Sequence, residues 1–272
     1  MTILLVLLSS PSIAIPWPSE SSWEAVQRDG ADLTDICGDV SGSEWWDIVG
    51  EEGTAAAYFV DDGTHLWFRL RLADSPYSEG ATRVDWRSFG WGVYIEADGD
   101  LTQYEYAVIV DGNDAEVQLY ENTTASTPLA TDSPELLLAS YSAPAAESGA
   151  SDAGYAGYLN AGTDLCEAGF YADYFVDWAV PWEDLVVLTG ITSLDELRLV
   201  FGTTASGLAF GKDIAGCDDA PRSCPTWEDL VSDEPEDEPT DPDDPGDGGS
   251  DGDGGSTGDG GSTGDGGGAG DG

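Results

Sequence analysis

The sequence has very few basic residues, one histidine and one methionine. Lys and Arg total 8 against 54 Asp and Glu, so the 272 residues carry a formal net charge of -46. A nucleic-acid binder needs clustered cations that neutralise phosphates, and charge-driven binding to anionic lipid also needs positive charge. Nucleic acid and anionic membrane surfaces are therefore excluded as partners. Mechanisms that require two histidines are excluded as well.

Apolar residues are plentiful despite this charge. They make up 40% of the chain, and there are ten Trp, which predicts a folded core. At the N-terminus, the apolar run of residues 3–8 is too short to span a bilayer, and Ser12 and Ala14 are small residues of the kind a signal peptidase needs. Residues 1–14 are predicted to be a signal peptide, although a buried strand is the alternative. The mature protein is then extracellular or on the cell surface, with no integral membrane segment.

Four cysteines suit an exported chain with disulfides. Cys217 and Cys224 enclose a short loop of turn-forming residues, which predicts a local bridge and leaves Cys37 to pair with Cys166. A zinc site is the alternative, but there is no CxxC motif and His65 is the single histidine.

The composition changes sharply at Asp233. Residues 233–272 contain 14 acidic residues, no basic ones and repeated Gly, Ser and Pro. Such a segment cannot bury enough apolar surface to offset its ordering entropy, so it is predicted to be a disordered acidic linker or tail. Residues 15–232 are predicted to form one domain.

Alternating apolar residues predict strands through most of this domain. In the segment His65–Leu72, every second side chain from Leu66 to Leu72 is apolar and predicts a half-buried strand. Asp-Gly turns separate it and the later segments, and helical periodicity is weak outside residues 182–188. The fold class predicted is all-β, an antiparallel two-sheet β-sandwich of jelly-roll or immunoglobulin-like architecture.

Several segments resemble one group of extracellular modules. Residues 60–70 resemble the acidic turn and following strand of family 9 carbohydrate-binding modules and DOMON-like domains, and residues 177–185 resemble their late strand and short turn. Shorter similarities occur at residues 32–35, 46–47, 201–204 and 212–216. The resemblance covers roughly residues 30 to 230 and implies a β-sandwich that is secreted and binds a glycan or another cell-surface component.

The resemblance also frames the possible ligands. Haem binding in such domains uses Met and His axial ligands, which this chain cannot supply, so no haem is expected. Glycan binding uses aromatic rings that stack on the sugar. Six residues are candidates, three at outward strand positions and three in loops: Trp67, Tyr94, Tyr120, Trp45, Trp46 and Trp86. For each of them, burial inside the fold is the competing interpretation.

Acidic turns supply candidate calcium ligands. Ca²⁺ prefers several oxygen ligands, and two turns are rich in carboxylates, with candidate ligands Glu96, Asp98, Asp100, Asp111 and Asp114. The order of Gly and Asp in these turns differs from that of an EF-hand loop. Plain hairpin turns are therefore the alternative.

The function predicted from the sequence is an exported, non-catalytic binding module, with a carbohydrate ligand favoured and calcium assistance possible. One alternative is a structural or adhesive surface module, in which all outward Trp side chains are covered. A weaker alternative is a carboxylate-dependent glycoside hydrolase using Asp177, an acid within an apolar strand. For Asp177 the competing interpretation is an ion pair with Arg69, Arg71 or Arg198.

Overall fold

The structure is a computed structural model that describes nine stretches of the chain: residues 15–40, 42–79, 84–100, 102–123, 135–151, 153–166, 172–194, 197–205 and 209–217. The predicted signal peptide 1–14, the predicted tail 233–272 and Cys224 lie outside them. The described residues all belong to one compact unit, Met1–Glu234. Among them, no helix has the length and apolar character to cross a membrane.

Strands dominate the described residues, with a single α-helix and two 3₁₀ turns. The elements in chain order are the turn Glu20–Ser22, β1 (Glu24–Ala25), β2 (Gln27–Arg28), β3 (Ala31–Asp32), the turn Glu44–Trp46, β4 (Ala57–Asp61), β5 (His65–Leu72), β6 (Tyr77–Glu79), β7 (Val84–Trp86), β8 (Trp91–Glu96), β9 (Tyr106–Asp111), β10 (Glu116–Glu121), β11 (Leu136–Ser142), β12 (Ala156–Asn160), β13 (Tyr174–Pro181), α1 (Trp182–Thr189), β14 (Arg198–Thr203) and β15 (Asp213–Ile214).

Two antiparallel sheets form the body of the domain. The five-stranded sheet has the order β1-β4-β5-β13-β12, and the six-stranded sheet has the order β11-β10-β9-β8-β14-β15. Two short ribbons, β2-β3 and β6-β7, lie outside the sheets. The predicted all-β sandwich is therefore confirmed.

The core lies between the inner faces of the two sheets. Phe68 of β5 and Trp178 of β13 come from one sheet, and Phe201 of β14 comes from the other; all three are fully buried. The ring centroid of Phe68 lies 5.7 Å from that of Trp178 and 6.2 Å from that of Phe201. Period-two alternation places these large side chains on inner faces, where apolar burial stabilises the sandwich.

Strand β5 is more buried than its sequence predicts. Its inward apolar residues lie in the core as expected, and the hairpin with β4 forms at the predicted turn. The prediction that this strand is half-buried is wrong, because Trp67, Arg69 and Arg71 on its outer face are also buried. The N-terminal segment 15–23 covers part of that face, with Trp17 and Trp23 packed near Trp67.

One predicted disulfide is present in the structure. Cys37 and Cys166 are bonded, with their Cα atoms 5.5 Å apart, and the bridge joins positions 129 residues apart. Disulfides are typical of oxidising compartments, so this bridge is compatible with an extracellular protein. Cys217 is buried and disulfide-bonded; its predicted partner Cys224 lies outside the described residues, so the pairing stays a prediction.

Candidate metal centre

The predicted aromatic ligand-binding residues do not form one platform. Trp86 belongs to the main core, Tyr94 to a second buried cluster against which Tyr120 packs, and Trp67 to a third cluster. Trp45 and Trp46 contact each other, with ring centroids 5.2 Å apart.

Trp67 is fully buried, which corrects its prediction as a ligand-contacting residue. The Trp17 ring lies 4.8 Å from the Trp67 ring, centroid to centroid. The indole N–H of Trp67 donates a 2.8 Å hydrogen bond to Asp62 Oδ2 in the β4–β5 turn. Because the ring is covered and its only polar group is bonded within the fold, it offers no surface to a sugar.

Trp86 and Tyr94 are buried as well, so their predicted roles in ligand contact are also wrong. Trp86 is 6% exposed, and its indole N–H donates to the carbonyl of Ala143 at 2.7 Å. Tyr94 lies between two rings, with centroid distances of 4.0 Å to Tyr104 and 4.0 Å to Phe210. These side chains act as packing residues of the two sheets.

The remaining three aromatic candidates are half-buried. Tyr120 donates its hydroxyl proton to Gln118 Oε1 at 2.6 Å. The Arg87 guanidinium lies 4.2 Å from the centroid of Trp45, and the Lys212 ammonium lies 4.9 Å from that of Trp46. Two of the few cations thus already contact these rings within the fold.

Asp177 has a structural partner rather than a place in an open site. It is fully buried on β13 and accepts two hydrogen bonds from Arg69 of β5. This confirms the ion pair expected as the alternative to a catalytic role.

Two of the predicted calcium ligands come together with a third residue that was not predicted. One oxygen from each of Glu96, Asp98 and Glu105 lies within 4.8 Å of the other two. Glu96 pairs with Arg198 at 3.3 Å and also accepts the backbone N–H of Asp98 at 2.9 Å. Burial raises the pKa of Glu105 to about 7; the backbone N–H of Ala97 opposes this rise, and the charges of Asp98 and Glu96 add to it.

Asp100 and Asp111, which were also predicted as calcium ligands, accept hydrogen bonds within their own turns. Asp100 accepts hydrogen bonds from the backbone N–H and the hydroxyl of Thr102, at 3.1 and 2.6 Å. Asp111 accepts the backbone N–H groups of Asn113 and Asp114, at 2.8 and 3.3 Å. Such Asx-type contacts account for acidic residues in tight turns without an ion.

A second carboxylate group, which the sequence did not reveal, lies deeper in the fold. One oxygen from each of Asp35, Asp39 and Asp213 lies within 4.8 Å of the other two. Asp35 is 2% exposed and Asp213 is fully buried, whereas Asp39 is half-buried. We call these three residues the Asp35 cluster. Asp35 and Asp39 lie in the same loop, whereas Asp213 is distant in sequence, so only the tertiary fold brings the three together.

Backbone hydrogen bonds position two of the three carboxylates of the Asp35 cluster. The backbone of Asp35 exchanges two 3.0 Å hydrogen bonds with Gly50, and its Oδ2 accepts the N–H of Gly216 at 2.8 Å. Asp213 begins β15, and its carboxylate accepts the N–H groups of Ile48 and Ile214 at 2.6 and 2.8 Å.

A cavity of about 400 Å³ is lined by both half-cystines of the Cys37–Cys166 bridge. Its lining also includes three carboxylates, those of Glu44, Asp47 and Asp164. Asp47 accepts the N–H of Gly38 at 2.9 Å, and burial raises the pKa of Asp47 to about 6. The charge of Asp47 also raises the pKa of Asp35 and of Asp213.

Comparisons of the chain with protein-family models, with curated proteins and with solved structures find no match. The resemblance to family 9 carbohydrate-binding modules and DOMON-like domains therefore stays a prediction. The fold and the geometry of the described residues are the basis for the functional proposals below.

Proposed function

We propose that the chain is an exported, non-catalytic module that adheres to another protein at or outside the cell surface. Exposed apolar side chains on two neighbouring elements support this role. In the described part of the chain, five of the six exposed large apolar residues lie on α1 and β11: Val186, Val187, Leu188, Leu136 and Leu137. We call these five residues the α1–β11 surface.

The two parts of the α1–β11 surface belong to neighbouring elements. Tyr141 of β11 donates a 2.7 Å hydrogen bond to Asp184 Oδ2 of α1. Strand β11 is also an edge of the six-stranded sheet. An edge strand with exposed apolar side chains suits the addition of a strand from another protein, while the helix supplies further apolar contact.

The burial of the outward aromatic residues favours adhesion over sugar stacking. Trp67, Trp86 and Tyr94 are at most 6% exposed, whereas Val187 is 73% exposed. Apolar surface available to a partner therefore lies on aliphatic side chains, which suit a protein contact better than a glycan ring.

A binding experiment on intact cells tests the adhesive role. Fluorescent mature protein should bind saturably to the surface of cells that produce it, and unlabelled protein should compete. The variants Val187→Asp and Leu137→Asp should each weaken binding at least about tenfold, because they bury a charge in the contact. An apolar residue such as Val60 is unsuitable as a control because its side chain is largely buried. The control is instead a change at an exposed polar residue, Glu51→Gln. Equal binding by all four proteins would contradict the proposal.

Carbohydrate binding is the second candidate, and the cavity beside the Cys37–Cys166 bridge supports it. Its volume suits a small ligand, and the carboxylates of Glu44 and Asp164 could accept hydrogen bonds from sugar hydroxyls. Retention on a glycan array or in affinity electrophoresis, lost in Asp164→Asn, would favour this function. Absence of retention on any sugar, with and without calcium, would exclude it.

A further inference from the structure

Three carboxylates of the Asp35 cluster meet where two distant parts of the chain join. Asp35 and Asp39 flank Cys37, and Asp213 lies on β15. Two oxygens that each lie about 2.4 Å from one calcium ion are at most about 4.8 Å apart. The oxygens of the cluster meet that limit, because all three lie within 4.8 Å of one another. This spacing is compatible with one ion shared by all three carboxylates after a small inward adjustment of the side chains.

One carboxylate oxygen in this cluster lacks a partner. Asp35 Oδ1 is buried and accepts no hydrogen bond, although Oδ2 of the same side chain accepts the N–H of Gly216. A buried polar atom without a partner is costly, and a charged one costs more. The unpartnered oxygen is evidence independent of the clustering of acids. It indicates that an electropositive group belongs beside Asp35 Oδ1.

Nearby cations do not form ion pairs with the two most buried members. The Arg28 guanidinium donates to the carbonyl oxygens of Gly216 and Ala215, at 3.3 and 3.5 Å. Among the described residues, neither Asp35 nor Asp213 makes an ion pair. Burial raises the pKa of both carboxyls, and the mutual repulsion of the acids raises them further. An added cation would thus stabilise the charged forms of Asp35 and Asp213.

We propose that Asp35, Asp39 and Asp213 bind one calcium ion. The ligand atoms offered are all carboxylate oxygens, which Ca²⁺ prefers, whereas zinc sites favour His and Cys.

The bound ion would fasten the loop around Cys37 to β15. Asp35 and Asp39 belong to that loop, which the Cys37–Cys166 bridge already holds at its other side. Calcium and the disulfide then restrain the same loop from two directions. An extracellular module commonly binds calcium with a dissociation constant of about 0.1–1 mM, so occupancy would follow export from the cell.

The cluster of Glu96, Asp98 and Glu105 provides a matched control. It has the same number of carboxylates, again within 4.8 Å of one another, and Glu105 Oε1 is likewise buried without a hydrogen-bond partner. Its Glu96 already pairs with Arg198, and its Glu105 is only half-buried. Calcium binding at this second cluster stays a prediction from the sequence. A variant of the second cluster measures the nonspecific effect of removing one acid from a highly anionic protein.

Calcium titration of the full mature chain tests the site. After treatment with EGTA, calorimetry at constant ionic strength should detect one saturable site, and saturating Ca²⁺ should raise the Tm by about 3–5 °C. Asp35→Asn and Asp213→Asn should each weaken binding at least about tenfold. Glu105→Gln should leave calcium affinity within about twofold of the native value.

Near-UV circular dichroism in EGTA establishes that each variant is folded before titration. If Asp35→Asn or Asp213→Asn fails that control, the half-buried Asp39→Asn replaces it and should show the same loss of affinity. The proposal is overturned if the native chain shows no saturable binding up to about 10 mM Ca²⁺. It is also overturned if folded Asp35→Asn, Asp213→Asn and Asp39→Asn all keep the native affinity. Loss of binding only in Glu105→Gln would overturn it as well, by moving the ion to the other cluster.

Discussion

Arg69 holds Asp177 through two hydrogen bonds, from Nε to Oδ1 at 2.7 Å and from Nη2 to Oδ2 at 2.9 Å. The same guanidinium donates to Glu20 at 2.8 Å and lies 4.2 and 4.3 Å from the rings of Trp23 and Phe175. Burial raises the pKa of Asp177, and the charge and hydrogen bonds of Arg69 oppose that rise. One arginine thus links β5, β13 and the N-terminal segment.

Removal of the buried partner should be far more costly than removal of the exposed one. Asp177→Ala leaves the Arg69 charge buried with less compensation, so we expect the free energy of unfolding to fall by about 3–5 kcal/mol. Glu20 has a side chain that is 66% exposed, and Glu20→Gln should cost less than about 1 kcal/mol. Urea denaturation of both variants measures the difference. Equal effects, or a folded Asp177→Asn variant that loses a hydrolytic activity of the native protein, would contradict a structural role.

The Cys37–Cys166 bridge should contribute strongly to stability because it closes a long loop. For a separation of 129 residues, the chain-entropy model gives about 5 kcal/mol. The double variant Cys37→Ser, Cys166→Ser should therefore show a much lower denaturation midpoint than the native chain in EGTA. The same variant should also bind calcium more weakly, since its loop is less restrained. An unchanged midpoint would show that the bridge does not restrain the unfolded chain.

Local patterns predicted the strands that carry strong alternation. Strand β5 and its hairpin with β4 follow from alternating Leu and Phe and from an Asp-Gly turn, whereas the segments of β11 and β12 show no period-two alternation of apolar and polar residues over their full length. The burial of Trp67 depends on a covering segment, which strand periodicity does not encode. The Asp35 cluster was equally hidden, because Asp35 and Gly216, which are hydrogen-bonded, lie 181 positions apart.

The N-terminal segment should stabilise the domain by covering Trp67. Trp17→Ala removes the ring that lies 4.8 Å from Trp67, so we expect a loss of about 1–3 kcal/mol in the free energy of unfolding. Trp17→Phe keeps an aromatic ring and should lose less. Denaturant titrations of the two variants, with hydrogen exchange of the β5 amides, measure the effect. Native stability in Trp17→Ala would mean that the segment does not cover the strand in solution.

Glu105 should make stability depend on pH. Its pKa rises from an ordinary 4.5 to about 7, chiefly through burial, so the folded chain binds this proton more tightly than the unfolded chain. The free energy of unfolding should therefore decrease as pH rises from about 4.5 to about 7. Relative to Glu105→Gln, the native chain should lose about 1 kcal/mol over that window, a value reduced for the half-exposed position of the side chain. The urea midpoints of the native chain and of Glu105→Gln, measured in EGTA, should diverge as the pH rises. Parallel pH profiles of the two proteins would contradict this prediction.

Solvent exposure of apolar side chains distinguishes an adhesive surface from an aromatic ligand site, and hydroxyl-radical footprinting with mass spectrometry measures this exposure directly. In the native chain we expect slow modification of Trp67, Trp86 and Tyr94, despite the high intrinsic reactivity of aromatic rings, because all three are at most 6% exposed. Leu137 and Val187 should be modified readily. Fast modification of the three aromatic residues, or protection of Leu137 and Val187, would contradict an adhesive α1–β11 surface and restore the aromatic residues as candidates for ligand binding.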